Sequence, residues 1–421
     1  MARVLVIGGG GREHALARGL SRSSSVDRVF VAPGNDGMVD VAECVVAKTL
    51  DDQVRAASEL DVDLVVVGPE QPLVDGLADR LRASGRTVFG PDSVAARIEG
   101  DKAWSKQLML DAGVPTAAAA AFDRLEPALE HVRSTGGQCV VKATGLAAGK
   151  GVTVCSDVAT AEAAVRACLV EAVFGEAGSS VLIEERLDGP ELSVFAVSDG
   201  REVATFAPSR DHKRLGDGDE GPNTGGMGAY TPVADATDAL VANVAEGVVG
   251  PTLDALRARG VEYRGLLYVG LMLTADGPKV LEYNCRFGDP ETQVVVPAFD
   301  GDLYELLRGA AEGSLGTRGP LPSDGAAVGV VLASAGYPAS STKGVPVPGL
   351  VDLETTDDEI VFHAATRRSD AGWETNGGRV LCAVGRGADV AEARKRADAL
   401  AGRLEFQGAQ RRHDIGAREA S

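Results

Sequence analysis

Over the first hundred positions, apolar residues fall in short uninterrupted runs: Val4–Ile7, Val29–Ala32, Leu64–Val67 and Thr87–Phe89. Each run stops at a loop containing Gly or Pro, and stretches with helical spacing lie between them, such as Glu13–Leu20 and Leu73–Ser84. Runs without polar alternation, linked by helices, predict a parallel sheet covered on both faces. Ligands of such sheets bind beyond the carboxyl ends of the strands. The loops Gly8–Arg12, Pro33–Gly37, Gly68–Pro72 and Gly90–Asp92 gather there.

Asp92 is placed to cap a long helix reaching about Ala112, which Gly113-Val114-Pro115 would stop. Beyond an alanine tract at 117–121, the pattern predicts a helix near Pro127–Ser134 and two strands, Cys139–Lys142 and Val152–Cys155, joined by a Gly-rich loop. A helix at about Ala159–Phe174 and a strand at Val181–Glu184 follow, then strands at Leu192–Val197, Glu202–Ala207 and Gly265–Leu273. The composition shifts around Pro320–Gly325, after which strands Ala327–Ala333 and Gly378–Val384 and a helix at Asp389–Arg403 are expected. No internal repeat is visible. With 421 residues the chain exceeds one ordinary core. The expected class is α/β and α+β multidomain: a parallel-sheet substrate-binding domain at 1–103, a central domain at 104–324 with a lid at about 120–190, and a small mixed domain at 325–421.

Composition narrows the function classes. A hydrophobic content of 44% with 24% charged residues is that of a soluble globular protein, and a net charge of −19 argues against nucleic-acid backbones and anionic membranes as partners. No run of about 18 apolar residues occurs, so no membrane-spanning helix is expected. No secretory signal is evident, since only Val4–Ile7 are strongly apolar before glycines begin. The six cysteines show no paired spacing, which fits reduced thiols and a cytoplasmic setting. Only nine of the 42 basic residues are lysines, and five of them, Lys102, Lys106, Lys142, Lys150 and Lys213, fall in one quarter of the chain. A compact ammonium suits phosphate.

The most informative stretch is Val280–Glu291. In a strand alternate side chains share a face, so Glu282 and Asn284 would present two oxygen donors side by side. Oxygen ligation suits a hard cation such as Mg²⁺, which takes few protein ligands and completes its shell with water and phosphate. Arg286, at the next alternate position, would reach a phosphoryl group; the plainer reading is a strand with a solvated polar face.

Two glycine-rich segments suggest phosphate. Gly8–His14 follows a strand and opens a helix, a favourable place for a small anion, and Arg12 adds charge; a purely structural turn is the alternative. It is not a dinucleotide fingerprint: Glu13 stands where the third glycine belongs, and no acid ends the second strand at Ala32-Pro33-Gly34. The loop Thr144–Gly151 is not a Walker loop either, because Gly151 replaces the Ser/Thr and the loop joins strand to strand. A glycine hairpin of this kind can fold over a triphosphate, with Lys142 beside it; an ordinary hairpin is the bland reading. The strand ending in Glu184-Glu185 could present an edge to adenine, and Glu191 is a second candidate for ribose hydroxyls. Asp211–Tyr230 is a long polar loop with six glycines that would order around substrate. His212 is not read as catalytic, and no Ser/His/Asp or Cys/His pairing stands out.

These pieces, in this order, resemble the ATP-grasp enzymes, and among them the family that joins glycine to 5-phospho-β-D-ribosylamine in purine synthesis. The resemblance rests on Gly10–Leu16, Ala32–Asn35, Val67–Glu70, Lys142–Val152, Asp211–Arg214, Gly221–Tyr230 and Glu282–Glu291, and covers nearly the whole chain. It implies ATP and Mg²⁺ (or Mn²⁺), with glycine and the sugar amine as small-molecule partners. The length leaves no room for further purine-pathway domains, so a monofunctional enzyme, a monomer rather than an oligomer, is expected. By similarity, Lys102 and Lys142 would hold phosphates under a lid including Gly145, Gly149, Lys150 and Gly151. Glu184, Glu185, Leu187 and Glu191 would hold adenosine, Glu282 and Asn284 the metal, and Arg286 the transferred phosphoryl group. Gly10, Gly11, Arg12 and Asn35 would receive the sugar phosphate, and Asp211 and Asp289 glycine's ammonium. Two departures stand out: Gly265–Leu273 lacks the acid many ATP-grasp enzymes place there, and Ser209-Arg210 precede Asp211 where a glutamine is expected. Another carboxylate–amine ligase, a nicotinamide-dependent oxidoreductase and a non-catalytic nucleotide sensor are the competing readings.

Overall fold

A computed structural model of the chain describes residues 1–147 and 149–420. The amino-terminal segment forms a five-stranded parallel sheet in the order Glu43–Cys44, Val26–Pro33, Ala2–Gly8, Leu64–Val67, Val88–Phe89. Strand order reverses between Ala2–Gly8 and Leu64–Val67, so a crevice opens beyond Gly8 and Gly68. Glu13 fills its floor: a Cβ on Gly8 would lie 2.6 Å from Glu13 Cδ, and one on Gly68 would lie 2.3 Å from Glu13 Oε1. Glycine is required at both strand ends for this close approach.

The expected long helix from Asp92 is two helices, Ser93–Gly100 and Lys102–Asp111. Asp92 caps the first, but Asp101 leaves helical geometry (φ −140°, ψ 93°) and caps the second by accepting from Trp104 N–H at 3.0 Å. The break turns Lys102 onto a new helix start. Likewise, Gly76 at φ +85° splits the expected Leu73–Ser84 helix into Glu70–Val74 and Leu77–Ala83.

The lid sheet runs in the order Ala119–Phe122, Val181–Glu185, Cys139–Ala143, Val152–Val154, all antiparallel. Its apolar core, including Leu129, Val141, Val165 and Ile183, is separate from the rest. A second sheet orders Gly277–Asn284, Arg264–Thr274, Glu191–Asp199, Val203–Thr205 and Gly319–Pro320. The third crosses the expected boundary at 325, because Arg210–Asp211 and Gly228–Thr231 extend a sheet of Ala326–Ala333, Arg379–Gly387 and Glu359–His363. The Asp211–Tyr230 loop is thereby anchored at both ends to the carboxy-terminal segment.

One further element differs from expectation. The 21-residue helix Asp238–Ala258 contains an 18-residue window with a mean hydropathy of 1.2, long and apolar enough by length and composition to cross a membrane. Its Val244, Val248, Val249, Leu253 and Leu256 pack into the main core, while Asp238, Glu246, Asp254 and Arg257 interrupt its outer side. That one-sided pattern is that of an amphipathic helix covering a core.

Candidate active site

The lid, the central sheet, the amino-terminal crevice and the carboxy-terminal sheet meet around a cavity of about 1390 Å³. One wall is formed by the strand Gly277–Asn284. Pairing with Arg264–Thr274 sets Asn284 opposite Tyr268 and Glu282 opposite Gly270, then shifts so that Val280 faces Leu271. Leu281 is the extra residue of this bulge, a device that re-aims side chains beside ligand sites. Glu282 and Asn284 both line the cavity, as alternation requires. The bulged Leu281 carbonyl accepts from Lys142 Nζ at 2.9 Å.

Lysines converge on this wall from separate elements. Lys102, at the start of its helix, donates to the Gly145 carbonyl at 2.9 Å. One turn on, Lys106 shares its face and meets Glu184 Oε1 at 2.8 Å, while Lys142 meets Glu184 Oε2 at 2.6 Å. All three partners are almost wholly buried, so one carboxylate faces two ammoniums at the edge of the cavity. Lys213 reaches the Glu191 carboxylate at 2.6 Å. Burial alone would raise the Glu282 carboxyl, but Lys213, Lys142, Lys102 and Arg286 outweigh it and hold Glu282 below the usual carboxylate range. Burial lowers the Lys102 ammonium, with Glu282 opposing.

No group of three or more His, Cys, Asp or Glu suited to a metal occurs among the described residues. An ionised carboxylate beside an amide oxygen instead suits a cation that keeps most of its shell for water and phosphate. The position opposite Glu282 is Gly270, so the neighbouring strand supplies no second acid there. Asn284 Oδ1 accepts from Arg286 Nη2 at 3.2 Å.

The adenosine expectation needs one correction. Val181–Glu185 is not an edge strand: it is paired on both sides, and Glu185 N–H donates to the Ala118 carbonyl at 2.8 Å. The flanking strand Ala119–Phe122 is the alanine tract, whose weak strand propensity hid it. Unpaired cavity-lining chain begins after it, at Arg186 and Leu187. Glu185, Leu187 and Glu191 line the cavity together with Gly149 and Gly151 of the hairpin; Lys150 is exposed and Gly145 stands behind the wall. Ala148 of that loop lies outside the described residues.

At the amino-terminal crevice, Arg12 lines the cavity, whereas Gly10, Gly11 and Asn35 stand behind it. The Gly10 N–H is taken by Glu13 Oε2 at 2.6 Å. A Cβ on Gly11 would lie 2.6 Å from Gln293 Nε2. Asn35 is a brace, donating to the carbonyls of Gly9 (2.8 Å) and His363 (3.1 Å) and accepting from Gly37 N–H (2.8 Å). Arg12 Nη1 donates to the Phe287 carbonyl at 3.1 Å.

The two candidate acids differ. Asp289 accepts from Gln293 Nε2 at 2.7 Å and pairs with Arg379 at 3.3 Å; burial is offset by Arg379 and Arg12, which keep its carboxyl low. The Asp211 carboxyl is pushed up to about 7, chiefly by burial, with Lys213 opposing and Glu291, Glu191 and Glu282 reinforcing the rise.

Domain models of one family match in chain order: the N domain over residues 2–99, the ATP-grasp (A) domain over 100–292 and the C domain over 327–418. The chain belongs to the phosphoribosylglycinamide synthetase family. Among its relatives, phosphoribosylamine–glycine ligase of Streptomyces coelicolor is 47% identical over 423 residues, covering 99% of both chains. That of Vibrio parahaemolyticus is 45% identical over 421 residues, covering 99% of this chain and 98% of its own. The crystal structure of phosphoribosylamine–glycine ligase from Thermotoga maritima superposes with a TM-score of 0.86 at 33% identity, covering 98% of this chain and all of that one. Biotin carboxylase from Campylobacter jejuni, at 14% identity and TM-score 0.73 over 97% of this chain and 93% of its own, shares the ATP-grasp fold.

The synthetase-family cavity also contains residues that motif reading passed over. Lys106 and Lys213 sat in the lysine cluster, and Glu70 closed the Val67–Glu70 string, so each had a signal. Glu99 and Arg379 had none. Arg379 comes from the carboxy-terminal sheet and donates to the carbonyls of Gly225 (2.6 Å) and Asp289 (2.7 Å). It thereby ties the glycine-rich loop to the Asp289 turn.

Proposed function

We propose that this chain joins glycine to 5-phospho-β-D-ribosylamine at the expense of ATP, giving glycinamide ribonucleotide, ADP and phosphate. A carboxylate does not condense with an amine in water. Glycine's carboxylate oxygen therefore attacks the γ-phosphorus, ADP departs, and glycyl phosphate forms. The sugar amine then attacks the acyl carbon, phosphate leaves, and the amine loses a proton. Phosphoryl transfer of this kind needs positioning and charge neutralisation above all.

The observation that carries this reading is the convergence of Lys102, Lys142, Lys213 and Arg286 on the Glu282–Asn284 pair, inside one cavity of a synthetase-family chain. Lys102 and Lys142 hold phosphate oxygens and Arg286 the transferred group. Glu282 and Asn284 would hold Mg²⁺ or Mn²⁺, and the cation would neutralise phosphate charge. Leu187, Glu185 and Glu191 face the adenosine, and the hairpin at 145–151 covers the phosphates and keeps water from the acyl phosphate. A lid with its own apolar core can move without opening the main one. Arg12, at the crevice, takes the sugar phosphate. Asp211 takes glycine's ammonium in preference to Asp289, whose oxygens are already engaged.

The test is ADP release with ATP, Mg²⁺ and freshly prepared phosphoribosylamine, with and without glycine, for the wild type and Glu282→Ala. Release that requires both glycine and the sugar amine, and collapses in the variant, is expected. Turnover with a different carboxylate and none with glycine would overturn the substrate assignment.

A further inference from the structure

We infer that Glu99 is the positioning residue for Arg286, fixing the guanidinium that faces the transferred phosphoryl group; the inference rests on the functional reading above. Glu99 stands in the last turn of the helix Ser93–Gly100 of the amino-terminal segment and is 7% exposed. A carboxylate is a poor choice there. The last turn of a helix carries partial negative charge that disfavours an anion, and burial raises the Glu99 carboxyl further. Its placement is explained by what it holds. Oε2 accepts the Cys285 N–H at 2.8 Å and Oε1 accepts Arg286 Nη2 at 2.7 Å. One carboxylate thus spans two successive residues directly after the Glu282–Asn284 pair.

The guanidinium is otherwise held by longer contacts. Its Nε donates to Glu70 at 3.1 Å, Nη1 to the Phe287 carbonyl at 3.3 Å, and Nη2 also to Asn284 Oδ1 at 3.2 Å. Four of its five N–H groups therefore meet acceptors among the described residues, and one on Nη1 is left for a phosphoryl oxygen. Glu70 is the weaker anchor of the two acids: its side chain is 26% exposed against 7% for Glu99, and it also faces Arg12 at 3.9 Å. Glu99 is the buried, short-range pivot, and it joins the amino-terminal crevice to the strand that carries the proposed cation ligands.

The substitution that isolates this role is Glu99→Gln. The amide oxygen keeps the Cys285 N–H, while the amide NH₂ faces Arg286 with a donor where an acceptor stood, so the backbone anchor survives and the guanidinium is released. Outer-sphere partners of this kind cost roughly 10- to 100-fold on removal. Glu99→Gln should lower kcat by that factor, with KM for ATP changed less than about threefold and ADP affinity by calorimetry retained. In an Arg286→Ala background, the same substitution should lower kcat by less than about threefold. Glu99→Asp, which keeps the charge, should recover most of the loss. Wild-type kcat in Glu99→Gln, an equal loss in Glu99→Asp, or an undiminished loss in the Arg286→Ala background would overturn the inference. If the wild type releases no ADP in response to glycine, the functional reading fails instead. Glu99 is then decided by a crystal structure of Glu99→Gln, in which Arg286 turned away from Asn284 supports the role and Arg286 in place refutes it.

Discussion

Asp211→Asn should cost activity and add stability, with opposite dependence on pH. The Asp211 carboxyl stands at about 7 instead of 3.8, because burial penalises its charge more than Lys213 compensates. That gap corresponds to about 4 kcal/mol, at ~1.36 kcal/mol per pH unit. Since the folded state holds this proton more tightly than the unfolded state, the stabilisation is complete below pH 3.8 and is lost as pH rises through about 7. At pH 8 the wild type carries an unfavourable buried charge that asparagine lacks, so the variant's unfolding midpoint should exceed the wild type's at pH 8, by a margin that narrows at pH 5 and closes only below pH 3.8. Activity moves the other way. If the ionised carboxylate receives glycine's ammonium, kcat/KM for glycine should fall about tenfold per pH unit below about 7 and level off above it. A charge-assisted hydrogen bond is worth ~1.5–3 kcal/mol, so the variant should lose about 10- to 150-fold in kcat/KM at pH 8 and show no such limb. The assay is glycine-dependent ADP release from pH 5.5 to 8.5 with thermal unfolding alongside. A flat wild-type profile, or a limb that persists in Asp211→Asn, would refute the reasoning.

Three further outcomes follow from the packing. Glu184→Gln removes the anion shared by Lys106 and Lys142 and should destabilise the lid–core junction by about 3–5 kcal/mol, read in denaturant; an unchanged midpoint would contradict the buried pairing. His14 and His363 stack at the contact between the first helix and the carboxy-terminal sheet, with His14 Nδ1 accepting the His363 N–H at 3.0 Å. Burial holds their imidazoles down at about 3 and about 4 respectively, so the stability they contribute is present above 6.5 and lost as pH falls through those values; His14→Asn should flatten the decline of the melting midpoint between pH 7 and pH 5. Gly68→Ala would set a Cβ against buried Glu13 and should cost ~1–3 kcal/mol, whereas Gly247→Ala, with nothing within 4 Å on its helix, should gain up to ~1 kcal/mol. Equal midpoints for the two glycine variants would show that the crevice floor is not tightly packed.

What could be read from sequence was what local pattern encodes. Uninterrupted Val/Leu/Ile runs ending at glycines gave the parallel sheet, and period-two spacing put Glu282 and Asn284 on one wall. The bulge at Leu281 left that reading intact because it falls before the pair. What escaped depends on tertiary pairing. The Gly100-Asp101 break was legible as a helix stop followed by a cap, whereas the Ala119–Phe122 strand has almost no strand propensity until Val181–Glu185 lies beside it. Asn35 enters only through the resemblance; its hydrogen bond to the His363 carbonyl, 328 positions away, is one that no local pattern signals. Glu99 and Arg379 act across the boundaries between segments, where no spacing rule applies.

The most direct test of the central claim follows oxygen. Glycine labelled with ¹⁸O in its carboxylate is turned over with ATP, Mg²⁺ and phosphoribosylamine, and the released phosphate is examined by mass spectrometry. If glycyl phosphate forms in this cavity, each phosphate released carries one oxygen from glycine. Phosphate without label, alongside formation of the amide product, would contradict acyl-phosphate chemistry and the roles assigned to Lys102, Lys142 and Arg286.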